Sequence, residues 1–127
     1  MFVVHAHITI DPTARAEFVV VMDGFVSETR AEPGNAAFEL TGHLTDPGMF
    51  TLFECWESED ALRHHMEQAY FMDLVAIAPR LGFTLTGTTY WVERNHIERA
   101  SETLERVRAK GESAATQELA VSAKSRP

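Results

Sequence analysis

Every second position from residue 2 to residue 10 is apolar. Phe2, Val4, Ala6, Ile8 and Ile10 share one side, while Val3, His5, His7 and Thr9 take the other. A period of two predicts a strand over residues 2–10. Asp11-Pro12 then breaks the strand and can open a helix. From about Thr13 to Glu32 the spacing becomes helical, with Phe18, Val21, Met22, Phe25, Val26 and Thr29 on one face and Glu17, Asp23, Glu28 and Arg30 on the other. Pro33-Gly34 ends that helix. Residues 35–44 predict a second strand with Ala36, Phe38 and Leu40 on one face, and Thr45-Asp46-Pro47-Gly48 is a turn. Residues 49–57, MFTLFECWE, complete a hairpin as the third strand. Phe50 and Leu52 lie on one of its faces and Phe53 and Cys55 on the other, so burial on both sides is expected.

Ser58 is a good N-cap for a second helix, with Glu59 and Asp60 in the first turn, where the helix dipole favours anions. The helix is expected to run to about Ala78, with Leu62, His65, Met66, Ala69, Leu74 and Val75 inward and a break near Gln68. Pro79 and Gly82 end it, and FTLTGTTYWV (83–92) is β-branched and aromatic, hence a fourth strand. The order predicts an α+β fold, the ferredoxin-like β-α-β-β-α-β arrangement with an antiparallel sheet. Beyond it, Ile97, Ala100, Leu104 and Val107 mark a short C-terminal amphipathic helix at about 95–110, supported by the Glu102–Arg106 and Glu105–Arg108 pairs. The rest of the tail is expected to be flexible.

Charge sharpens that division. The 127 residues carry a net charge of −8. Residues 1–94 hold 5 Lys+Arg against 14 Asp+Glu, a net of −9, and contain no lysine; residues 95–127 hold 6 against 5, a net of +1. A domain over 1–94 and an extension over 95–127 are therefore expected. The acidity is a poor match for nucleic acid, whose phosphates call for clustered Lys and Arg. The longest apolar run, Phe18 to Met22, is far short of a membrane span. No export signal is visible at the start, and the single Cys55 fits a reducing compartment, so a cytoplasmic location is expected. A chain this short gains from a partner subunit, because a small domain buries a limited share of its surface.

The candidate chemistry lies with histidines, aromatic side chains and one glutamate. Glu54 and Trp56 share a strand face with Phe50 and Leu52. A glutamate there must find a partner or be protonated, since burial raises its pKa; an arginine salt bridge or an interface contact would equally satisfy it. Trp56 offers a flat wall and one N–H donor, or simple core packing. His65 lies on the apolar side of the second helix beside Leu62 and Met66, where its pKa can be moved across neutrality for acid or base work. A satisfied core histidine would give the same pattern. His64 is expected to face solvent. His5 and His7 point the same way from one strand and could donate two imidazoles to a metal. No cysteine cluster or HExxH supports that, and hydrogen-bonded histidines in an interface fit the pair better. No nucleotide cradle (GxGxxG or GxxxxGK[ST]) and no GxSxG elbow is present.

Pro33-Gly34, Phe38-Glu39-Leu40, Asp46-Pro47-Gly48, Phe53-Glu54-Cys55-Trp56-Glu57-Ser58, Ala61-Leu62, His65 and Phe71 together resemble the antibiotic biosynthesis monooxygenase (ABM) family over residues 1 to about 94. The resemblance implies a ferredoxin-like homodimer whose two sheets form a dimeric α+β barrel, each subunit holding a pocket between sheet and helices. It further implies a cofactor-free monooxygenase of quinols, anthrones or similar polyketide-type aromatics, using dioxygen and no bound cofactor or metal. Trp56 and His65 match recurrent positions of the family. His65 is then the expected base, Trp56 a substrate wall or donor and Glu54 the partner that orients or charges the site, with Leu52, Leu62, Met66, Tyr70, Phe71 and His7 against the substrate. Leu52 stands where polyketide-oxidising members carry an asparagine, Leu62 where a tyrosine is frequent, and Tyr70 where a further helix histidine is common. Heme-degrading relatives carry tryptophan at the position of His65, so heme cleavage is not implied. A non-oxidative isomerase or cyclase on the same fold, and a ligand-binding or interaction protein without catalysis, are the rival expectations.

Overall fold

A computed structural model describes residues 1–93 and 101–111. The chain divides into two units, Met1–Glu93 and Arg94–Pro127. In the second, residues 101–111 are helical. The expectations for 95–100 and for the tail after 111 lie outside the described residues. No described helix is long and apolar enough to cross a membrane.

In the first unit, strand β1 (Phe2–Thr9) is followed by helix α1 (Arg15–Arg30), strands β2 (Asn35–Gly42) and β3 (Met49–Trp56), helices α2 (Glu59–Met66) and α3 (Ala69–Ile77), and strand β4 (Thr84–Trp91). The strands lie in the order β2-β3-β1-β4, and every neighbouring pair is antiparallel. This is the ferredoxin-like arrangement, with an open four-stranded sheet carrying its helices on one face. Register sets which side chains share that face. Val4 stands opposite Glu54 and Thr89, Ala6 opposite Leu52 and Gly87, and Ile8 opposite Phe50 and Leu85. Phe18, Met22, Phe25 and Thr29 of α1 are buried over this surface, and Trp56, Phe18 and Phe38 are among the largest fully buried side chains. Each such side chain contributes on the order of 2–3 kcal/mol of transfer free energy.

The structure corrects the pattern reading in four places. The first helix does not start at Thr13: Pro12–Ala14 form a short 3-10 turn capped by Asp11, and the α-helix begins at Arg15. The second helix breaks at Gln68, as expected, but Ala69 does not face inward: Gln68 is extended (φ −70°, ψ 146°) and stands at the N-cap of α3. Its side-chain amide donates to the carbonyl of His64 at 2.9 Å, adding a second donor to a carbonyl that also accepts the Glu67 backbone N–H. The break rotates the inward face, so Ala69 is exposed while Tyr70 and Phe71 turn partly inward. In β2, a bulge between Asn35 and Ala37 turns Ala36 out to solvent, away from Phe38. Finally, the outer face of β3 is covered only in part among the described residues: Cys55 is buried, but its neighbour on that face is not. Phe53 is 40% exposed on the outer face, beside His5 on β1.

Two glycines hold this geometry. Gly34 adopts φ +83°, and a Cβ there would lie 2.6 Å from the Cβ of Ala61. That close approach sets the end of α1 against the first turn of α2. Gly87 faces Ala6 across the sheet, where a Cβ would meet both Ala6 and the His5 carbonyl at 2.7 Å.

Candidate active site

Between the sheet and the α2–α3 pair lies a cavity of about 440 Å³, within the ordinary range for small-molecule sites. Its walls are almost wholly apolar. Leu52, Leu62, Met66 and Phe71 line it as expected, joined by Phe25, Phe38, Leu85 and others. Two ionisable side chains reach it, Glu54 from β3 and His65 from α2.

His65 is 2% exposed, although it lies on a polar-looking helix segment. Ser58 begins α2 by accepting the backbone N–H of Ala61, which starts the helical phase that points position 65 at the sheet. An aromatic box encloses the imidazole. Its centroid is 4.8 Å from Trp56 at an interplanar angle of 34°, 5.1 Å from Phe71 edge-on and 5.6 Å from Phe25 edge-on. Trp56 is fully buried and stands behind His65, outside the cavity wall. It therefore backs the imidazole and stands apart from the residues that line the cavity. A ring face so placed favours the imidazolium form over the neutral one.

The principal partner of His65 is Glu32, which the sequence pattern treated only as the last residue of the first helix. Its Oε2 accepts a hydrogen bond from the Nδ1 side of His65 at 2.5 Å, and its side chain is 8% exposed. The Tyr70 hydroxyl donates to the same oxygen and lies 3.2 Å from His65 Nδ1. Thr29 pins the tyrosine at 3.1 Å and donates to the Phe25 carbonyl at 2.8 Å. Glu32 Oε1 is buried without a hydrogen bond, 3.5 Å from Nδ1 of the half-exposed His64. One signal for Glu32 was present in the sequence. An acid just beyond a helix C-terminus opposes the macrodipole and needs a compensating donor. Which donor answered it depended on α2 folding against the turn at Gly34.

Electrostatics separate the ionisable groups. Burial holds the His65 pKa below its ordinary value, while the Glu32 carboxylate works in the opposite direction. Burial pushes the Tyr70 phenol well above its usual range, and the hydrogen bond to Glu32 adds to that, so it stays a donor. Glu54 stands between Val4 and Phe38 on the neighbouring strands. Burial raises its pKa to about 7, and the negative charge of Glu32 adds slightly. The Trp56 indole N–H finds no acceptor in hydrogen-bonding geometry, yet it lies near enough to offset part of that rise. No arginine pairs with Glu54 among the described residues.

Two of the expected contact residues stand elsewhere. His7 projects from the outer face of the sheet, paired across strands with Thr51 and Thr86, and cannot reach the cavity. Strand parity decides this, because Ala6 and Ile8 on either side of it face the helices. Its ring lies 5.1 Å from that of His5. Tyr70 is not in the cavity wall either, because its hydroxyl is held by Glu32 and Thr29 behind His65. The arrangement can accept a proton at His65 Nε2, which carries no hydrogen bond among the described residues, and can exchange one at Glu54.

Comparison with known proteins matches the profile "Antibiotic biosynthesis monooxygenase" over residues 1–76. A protein of Bacillus subtilis (strain 168) named "Putative monooxygenase YcnE" is 36% identical over 76 residues, covering 60% of this chain and 80% of that protein. The uncharacterized protein sll1783 of Synechocystis sp. (strain ATCC 27184 / PCC 6803 / Kazusa) is 30% identical over 79 residues, covering 62% of this chain but 54% of its own length. Among solved structures, an antibiotic biosynthesis monooxygenase candidate from Deinococcus radiodurans superposes with a TM-score of 0.70 at 21% identity, covering 78% of this chain and 98% of that one. That likeness carries the fold. With the profile spanning more than half of its length, the chain belongs to the antibiotic biosynthesis monooxygenase family.

Proposed function

We propose that this protein is a cofactor-independent monooxygenase of quinols or polyketide-type phenols, working as a homodimer in the cytoplasm. Family membership supports monooxygenase-like chemistry in general. The substrate class rests on one observation: a histidine held by a carboxylate opens onto an apolar cavity that no lysine or arginine among the described residues lines. Such a site suits a neutral, flat, apolar molecule with an acidic hydroxyl. A phosphate or carboxylate would meet no counter-charge there.

His65 Nε2 takes the phenolic proton, and the resulting electron-rich anion reduces dioxygen directly. The balance closes without an added reductant. A ring C–H and the phenol O–H are lost, one oxygen atom becomes the new carbonyl, and the other leaves as water. The Trp56 face behind the ring stabilises the imidazolium formed in the first step. Glu54, titrating near neutrality, is placed to return a proton to the developing oxygen anion.

Oxygen uptake with a panel of quinols and anthrones tests this. The wild type is expected to consume oxygen, and His65→Ala to lose about 10²–10⁴-fold in rate. Equal uptake by the two proteins removes His65 from the mechanism. Because the pKa of His65 is lowered, the rate should rise with pH and level off below the usual histidine value. One observation favours a non-oxidative isomerase instead: Glu54 and His65 form an acid and a base on one cavity. Turnover that persists under strict anaerobiosis selects that reading.

A further inference from the structure

We infer that Glu32 is the positioning residue of the site: through Oε2 it fixes the His65 ring as the Nδ1–H tautomer, so that Nε2 is the atom presented to the cavity. The inference rests on the proposed role of His65 as base. The contacts of Glu32 stand independently of that role.

A neutral imidazole has one donor and one acceptor nitrogen, and its surroundings choose between them. At Nδ1 the choice is forced. A carboxylate oxygen 2.5 Å away only accepts, so Nδ1 must carry the hydrogen. The Tyr70 hydroxyl, 3.2 Å from the same nitrogen, is committed as donor to the same carboxylate oxygen. Thr29, on the buried face of α1, holds that hydroxyl in turn. Three elements therefore meet on one nitrogen: the end of α1 through Glu32, α2 through His65 and α3 through Tyr70. Phe25, Phe38, Trp56 and Phe71 surround the rest of the ring, so the imidazole cannot swing to another partner.

The same contacts set the response to a transferred proton. When Nε2 takes a proton, the imidazolium lies against a buried carboxylate, an arrangement worth far more in this apolar surround than in water. The charged and titratable groups facing the ring are Glu32, Tyr70, the neighbouring His64, and Glu54 across the cavity. Among the described residues, only Glu32 bonds to it as an acceptor. Removing its charge alone should therefore lower the basicity of His65, and removing the acceptor should change the tautomer; a purely structural glutamate would do neither.

The experiment uses the full chain labelled with ¹⁵N and long-range ¹H–¹⁵N spectra of the histidine rings across a pH series. Wild type is expected to show neutral His65 protonated at Nδ1. Glu32→Gln, whose amide oxygen can still accept from Nδ1, should lower its pKa by about one unit or more, and Glu32→Leu, which has no acceptor, should shift the ring toward the Nε2–H form. Tyr70→Phe, which leaves the carboxylate in place, should keep the Nδ1–H form. This variant also serves if Glu32→Gln folds poorly. A wild-type ring protonated at Nε2, an unchanged pKa in Glu32→Gln, or an unchanged tautomer in Glu32→Leu overturns the inference. In the oxygen-uptake assay, Glu32→Gln should lose roughly 10–100-fold in kcat with little change in KM. If the spectra behave as expected while no quinol is turned over by wild type, the oxidative reading fails and the positioning role stands.

Discussion

At the scale of single residues, the site depends on two glutamates with opposite fates. Glu32 is buried with donors, and Glu54 is buried without a cation. A carboxyl pKa raised from 4.5 to about 7 costs folding stability in the ionised range. Between those two pH values the folded state binds more protons than the unfolded one. Stability due to this group therefore falls as pH rises through that window and is flat above it. Glu54→Gln removes the dependence. In urea unfolding the variant is expected to gain on wild type as pH increases from about 4.5 to 8, by roughly 2–3 kcal/mol. A constant difference across that range would show that Glu54 is not held near neutrality. Sequence made the Glu54 shift legible, because strand parity placed it among Phe50 and Leu52. It left Glu32 illegible, because position 32 meets position 65 only after two elements pack.

At the scale of elements, most of the frame follows from periodicity. β1 and the inward face of α1 lie where the two-residue and 3.6-residue patterns put them, since a mispaired face would expose Phe18, Phe25 or Ile8. Boundaries and breaks follow weaker forces. The break expected near Gln68 decides that Tyr70 and Phe71, and not Ala69, turn toward His65, which the helical period did not foretell. The Gly34 turn governs the site from a distance. Gly34→Ala would force a side chain onto a φ of +83° and into Ala61. The variant is expected to lose about 2–4 kcal/mol in urea unfolding. It should also weaken the Glu32–His65 contact, visible as a changed His65 pKa. Unaltered stability would mean that the turn relaxes freely and does not fix the α1–α2 approach.

At the scale of the whole molecule, the outer face of the sheet carries Val3, His5, His7 and the half-exposed Phe53. The family resemblance makes a second copy the expected cover for it. Sedimentation equilibrium should then find a dimer for wild type and a monomer for Phe53→Arg, with the fold of the single chain retained. Wild type that is monomeric at micromolar concentration would remove dimerisation from the proposal. His7 lies on this face and so away from the cavity: its neighbours are strand side chains on the far side of the sheet from α1, α2 and α3.

Periodicity, turn residues and caps by themselves determined the order of elements, the antiparallel ferredoxin-like topology and the inward placing of Glu54, Trp56 and His65. Each of those is a local consequence of where apolar side chains recur along the chain. Tertiary structure alone decided that Trp56 backs His65, that Tyr70 bonds to a carboxylate, and that the carboxylate belongs to Glu32. Those contacts join residues 5 to 38 positions apart. Such distances are bridged only when α1, α2 and α3 settle on the sheet. No local pattern encodes where their ends meet.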